Sequence, residues 1–168
     1  MEREDSGDFD KAFELYNRLY QINPSGFEMW KHFYFFVWTA IEDAPSEFHD
    51  RINLRQKLQE LYEDGKKRFQ NYTEFKFIAG YTVSIFHYEY GDYEDLEKEG
   101  KEFLRQANQE RPDDKIFKMV YLGSFESDKK EYRQAELEAS PVVRNRFQGP
   151  GLLNRYFRQV LNRKNKKA

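Results

Sequence analysis

The sequence predicts an all-α fold in which antiparallel helix pairs stack side by side, about eight helices in all. Three observations predict it. Apolar residues recur at spacings of three and four along most of the chain, one face of a helix at a time. Runs that alternate apolar and polar residues, the signature of strands, are few. A helix break also recurs: Gly91-Asp92-Tyr93-Glu94 echoes Gly7-Asp8-Phe9-Asp10, 84 residues earlier. No single pair of such helices buries its own apolar face, so stacking on neighbours is what stabilises the array.

The elements follow in order. Residues 9–22 carry Phe9, Ala12, Phe13, Tyr16, Leu19 and Tyr20 on one face, with Asp8 as cap and Asn23-Pro24 as the stop. Residues 26–43, with Ser25 as candidate cap, are apolar almost all round, so this helix is expected at the centre. Trp38 and Phe35 are its more open positions, where an exposed aromatic patch is the alternative to burial. After the turn Ala44-Pro45-Ser46, one long helix is expected to about Gln70, weakened at Gly65. A fourth helix spans 74–90 after candidate cap Thr73, with small Gly80 and Ser84 allowing close helix contact. A fifth spans 92–110, with Tyr93, Leu96, Phe103, Leu104 and Ala107 on its inner face. Asp113 or Asp114 starts a sixth, ended by Gly123-Ser124. A seventh begins near Lys129, and Pro141 should kink or split it. Gln148 to Gly151 breaks the chain before a last helix over 152–163.

Length and composition set the class. A chain of 168 residues with 18% aromatics can bury one sizeable core, read as a single domain over 1–168. The absence of cysteine excludes disulfides and thiolate metal sites. The N-terminus MEREDSGDFD lacks the basic flank and apolar core of a secretion signal. The longest apolar run, FYFFVW, is far short of the roughly 20 residues of a membrane helix. A soluble cytoplasmic protein, away from membranes, is expected.

Charge is placed unevenly. Residues 144–168 hold eight Lys or Arg and no acid, and the basic end at 163–168 is expected to fray. Residues 1–143 hold 20 basic and 30 acidic residues, a net −10 that attracts basic partners and repels nucleic acid.

No catalytic constellation is legible. His32, His49 and His87 form no ligand set, Ser124 and Ser140 lack a nucleophile context, and Gly149-Pro150-Gly151 lacks the Lys-Ser/Thr of a phosphate loop. No enzyme activity, metal or cofactor is expected. The acid pair Glu42-Asp43 sits at a helix end, where solvation explains it. The acidic run from Glu89 to Glu102 carries two readings: a solvated helix face whose acids favour the helix N-terminus, or a docking surface for a basic protein. The docking reading names Tyr88, Glu89, Tyr90, Asp92, Glu94, Asp95 and Glu97, with Trp38 as an apolar anchor.

Two resemblances add to this. The segment GDFDKAFELYNRLYQINP resembles the second helix of a tetratricopeptide repeat, with Gly7, Ala12, Tyr16, Leu19 and Pro24 at that family's spacings. The pair over 74–110 looks like a further unit, although Gly100 stands where a bulky aromatic is common. The resemblance implies a right-handed α-solenoid of helix pairs and a protein-binding adaptor or scaffold role. The segments IAGYTVSIFHYEYGDYE, FKMVYLGSF and FQGPGLLNRYFRQVL, within residues 78–161, are similar to small helical proteins found with bacterial polymorphic toxins. Some of those are immunity proteins of contact-dependent growth inhibition systems. That resemblance implies a cytoplasmic inhibitor that blocks one toxin domain, and it carries over no residue roles.

Overall fold

The computed structural model describes residues 8–91, 93–125 and 127–162. Nine α-helices and one 3-10 turn make up the described residues, with no strand among them. They are α1 (Phe9–Ile22), α2 (Phe27–Asp43), α3 (Ser46–Arg51), α4 (Leu54–Phe69), α5 (Thr73–Phe86), the 3-10 turn (His87–Glu89), α6 (Tyr93–Glu110), α7 (Lys115–Ser124), α8 (Lys129–Arg146) and α9 (Leu152–Leu161). No described helix is long and apolar enough to cross a membrane.

The central helix is α2, which packs against α1, α4, α5 and α9. Its all-round apolar sequence explains the position, because each face meets a different neighbour. Phe33 stacks on Tyr16 and edges onto Phe13 of α1. Trp30 donates its indole N–H to the Leu61 carbonyl of α4 at 2.7 Å, so its one polar atom is satisfied inside the core. Phe35 and Trp38 lie under Tyr156 of α9. On the remaining face the Tyr34 hydroxyl is 2.6 Å from both Thr82 and Tyr90. Thr82 donates to the Ile78 carbonyl at 3.0 Å, so the hydroxyls chain in one direction: Tyr90 donates to Tyr34, Tyr34 to Thr82, and Thr82 to backbone. Burial, ahead of any other cause, raises the Tyr34 and Tyr90 hydroxyls well above the ordinary tyrosine range and keeps them neutral donors.

The tightest pair is α5 with α6. A Cβ on Gly80 would sit 2.8 Å from the Gly100 carbonyl oxygen, and one on Gly100 would sit 2.9 Å from the Ser84 nitrogen. Gly80 also meets Leu104, so position numbers fall on α6 as they rise on α5, which makes the pair antiparallel. The expectation of close contact at Gly80 and Ser84 holds, and Gly100 is small because a backbone faces it. Gly91, between the two helices, has φ +129, a conformation that side chains with a Cβ rarely adopt.

Several boundaries differ from expectation. The long third helix is two helices, α3 and α4. Ile52 is extended, and the Asn53 side chain accepts from the Gln56 N–H to start α4 anew. Ser25 does not cap α2; Gly26 occupies that place, and the Ser25 hydroxyl faces the Asn23 side chain. Thr73 is the first residue of α5, and its hydroxyl donates to Glu110 at 2.8 Å. The fourth helix stops at Phe86 and tightens into the 3-10 turn. Asp114, not Asp113, caps α7. Pro141 lies inside an unsplit α8. The carbonyl that proline leaves without its usual N–H belongs to Leu137, which is 51% exposed and so can be hydrated. The last helix ends at Leu161; the basic end at 163–168 lies outside the described residues.

The helices do not form a simple line. In an open solenoid each unit touches only its neighbours. Here α9 packs on α8 and returns to α2, with Phe157 touching Phe35 of α2 and Phe77 of α5.

Candidate protein-docking surface

The surface is built where the ends of α2 and α5 meet. Tyr88, in the 3-10 turn, is 43% exposed, and Ile85 one turn earlier is 38% exposed. Partial desolvation first, then the carboxylates of Glu42 and Glu89, raises the Tyr88 hydroxyl above the ordinary tyrosine range. Tyr156 of α9 is raised in the same way by burial, and then by Glu42 and Asp43 despite the opposing hydrogen bond from Tyr81. Two tyrosines therefore flank the acid pair that ends α2.

The sequence-predicted residues separate into three groups. Tyr88, Asp95 and Glu97 reach solvent. Trp38, Tyr90 and Glu89 do not serve as an open face. Trp38 is 2% exposed because α9 and α5 cover it with Tyr156, Tyr81 and Phe86. Tyr90 is buried against the Tyr34 and Tyr62 rings, with its hydroxyl in the buried chain. Glu89 is buried and held by Arg55, with the second contact, from Nη2, at 3.1 Å. Asp92 lies outside the described residues, as do the side chains of Tyr93 and Glu94.

The acidic face of α6 is largely neutralised within the chain. Glu97 pairs with Lys101 at 2.6 Å, Glu99 with Lys66 of α4 at 2.5 Å, and Glu102 with Arg105. The Arg105 and Gln106 side chains hold the Glu102 carboxyl down at about 2. Among the described acids of this face only Asp95, 3.9 Å from Lys98 and with its side chain 96% exposed, is loosely held.

Unpaired acid is found elsewhere. Glu42, Asp43, Glu47 and Asp50 are all exposed, and none has an ion pair among the described residues. They are close in sequence, from the last turn of α2 into α3. The last turn of α2 contains no basic residue, so Glu42 and Asp43 face the negative end of the helix dipole without relief. Glu42 and Asp43 were legible as residues, and solvation at a helix end accounted for them; Glu47 and Asp50 were not singled out. What the sequence did not carry is that Tyr88 lies near Glu42, and Tyr156 near Glu42 and Asp43, although both tyrosines are distant in the chain. The chemistry this corner offers is attraction of cations with aromatic side chains beside them. Among the described residues no group of three His, Asp or Glu side chains is placed to hold a metal ion.

Comparison with protein-family models, curated proteins and solved structures finds no match to this chain.

Proposed function

We propose that the protein is a non-enzymatic binding module whose acidic corner captures a basic protein partner. The observation that carries this reading is the group Glu42, Asp43, Glu47 and Asp50, exposed and without ion pairs, with Glu42 near exposed Tyr88, while most other described acids are paired. Tyrosine supplies contact area at low entropic cost, and opposite charge speeds encounter. The concrete form we favour is a cytoplasmic immunity protein that blocks a basic toxin domain, such as a nuclease. Rapid capture matters when a toxin enters a cell, and unneutralised acid serves speed. Within this reading the antiparallel helix pairs are tetratricopeptide-like, stacked right-handed, with α9 as a closing helix in place of a further repeat.

The test uses a toxin domain encoded beside the gene as the probe. The protein should abolish that domain's activity at equimolar ratio. The reversal of Glu42, Asp43, Glu47 and Asp50 to Lys should slow association by about tenfold or more at low salt, with less effect at high salt. Its circular dichroism should stay helical. Equal on-rates for wild type and reversal at both salt concentrations would leave the corner as mere solvated surface.

A further inference from the structure

At the opposite end of α2, five helices and a loop surround a cleft of about 320 Å³, a volume that suits a small organic ligand. Its floor is aromatic: Phe77, Phe117, Phe147 and Phe157, all buried. Its polar walls hold three cations, Lys31, Arg111 and Arg146.

Hydrogen-bond donors are in surplus here. Lys31 is 8% exposed, and its ammonium lies 2.8 Å from both carboxylate oxygens of Glu28 and 2.8 Å from Glu74. The Lys31 ammonium is thus fully engaged, and it supplies positive charge to the cleft without a spare N–H. Arg146 gives one Nη to Asp114 at 2.6 Å, and its plane lies 5.5 Å from the Phe117 ring centre, which leaves further N–H groups on the fork. The Arg111 guanidinium has no hydrogen bond or ion pair among the described residues. The adjacent Glu110 carboxylate is occupied by Lys76 and Thr73. The two carboxylates on the walls, Glu28 and Glu74, are tied to Lys31, and the first turn of α9 brings no acid.

We infer that this cleft binds an organic carboxylate with an apolar, preferably aromatic, body. The carboxylate takes the spare N–H groups of Arg111 and Arg146, because a planar anion with paired oxygens fits an arginine fork. The apolar body rests on the phenylalanine floor. This site is independent of the acidic corner: it carries the opposite charge preference and lies at the other end of α2.

The experiment is a titration of 3-phenylpropionate into the whole isotope-labelled protein, followed by amide chemical shifts. Saturable shifts are expected, confined to the first two turns of α2, α5 and α9, to the segments around Arg111 and Phe117, and to Arg146-Phe147. Arg111→Gln, at an exposed position, should weaken binding about tenfold, as loss of a charge-assisted bond implies, with the remaining spectrum unchanged. Arg146→Gln should act in the same direction. Phenethylamine, with the same ring and the opposite charge, should not shift these residues. The inference is overturned if 3-phenylpropionate gives no saturable change up to about 10 mM, where a Kd in the millimolar range is only about −4 kcal/mol of binding. It is overturned equally if Arg111→Gln binds as wild type does, if phenethylamine binds the same residues, or if inorganic phosphate binds as tightly as 3-phenylpropionate.

Discussion

Ala12 and Gly65 are positions where one added group meets packed atoms. Ala12 is 2% exposed on the inner face of α1. Ala12→Glu places a carboxylate there without a partner and should cost several kcal/mol, read as a large fall in melting temperature. An unchanged melting temperature would mean that the side chain finds water. A Cβ on Gly65 would lie 2.4 Å from the Trp30 ring, so Gly65→Ala should destabilise by about 1–3 kcal/mol even though alanine is the better helix former. A urea midpoint equal to or above wild type would refute this. Ala12 was legible because its neighbours in sequence define the face it occupies. Gly65 reads only as a weak point in a helix, since the ring that needs its smallness is 35 residues away. Trp38 was misassigned for a related reason. When nearly every position of a helix is apolar, periodicity no longer says which side is wet.

Helices were legible where a cap or a breaker closes them, and blurred where tertiary contacts set the end. Asp8, Pro24, Asp114 and Gly91 mark boundaries that the structure keeps. The split between α3 and α4 depends on Asn53, a modest local signal within an otherwise periodic stretch. The α5–α6 pair shows what the spacing of small residues does: Gly100→Val would push its side chain into Val83 and the Ser84 backbone. That variant should lose several kcal/mol and loosen both helices together, visible as matched loss of amide-exchange protection on α5 and α6. Protection lost on α6 alone would contradict this tight coupling. The acids of α6 also give a pH dependence. Glu102 falls to about 2 in the folded chain from 4.5, so its contribution is complete above the unfolded value. It drains away as pH drops from about 4.5 toward 2. Because Glu102 is a solvent-screened surface residue, the effect is small. Glu102→Gln should flatten the acid limb of the stability curve slightly; a variant with the same acid limb as wild type would deny the pair any role.

At the scale of the molecule, the return of α9 to α2 decides how the parts depend on one another. Phe157 is fully buried against Phe35, Phe77, Tyr81 and Phe147. Phe157→Ala should cost about 3–5 kcal/mol. A chain ended after Gly149 uncovers the Phe35 and Trp38 side of α2. It should fail to show a cooperative thermal transition, where an open solenoid trimmed by one helix would keep a weaker one. A sharp transition in the shortened chain would mean that α9 is an ornament on a complete stack. The sequence suggested stacking through its echoed breaks, but closure rests on aromatic contacts between segments more than 100 residues apart, which no local pattern encodes.

That closure sets a schedule for synthesis. The ribosome releases α2, with the run FYFFVW along it, more than 100 residues before the tyrosine and phenylalanine that cover its last open face. While those intervening residues are made, a greasy strip stays uncovered on a nascent segment, and contacts this distant in sequence form slowly. Ribosome-bound intermediates stalled before α9 should therefore recruit hydrophobic-binding chaperones, and chains in which α9 has emerged should shed them.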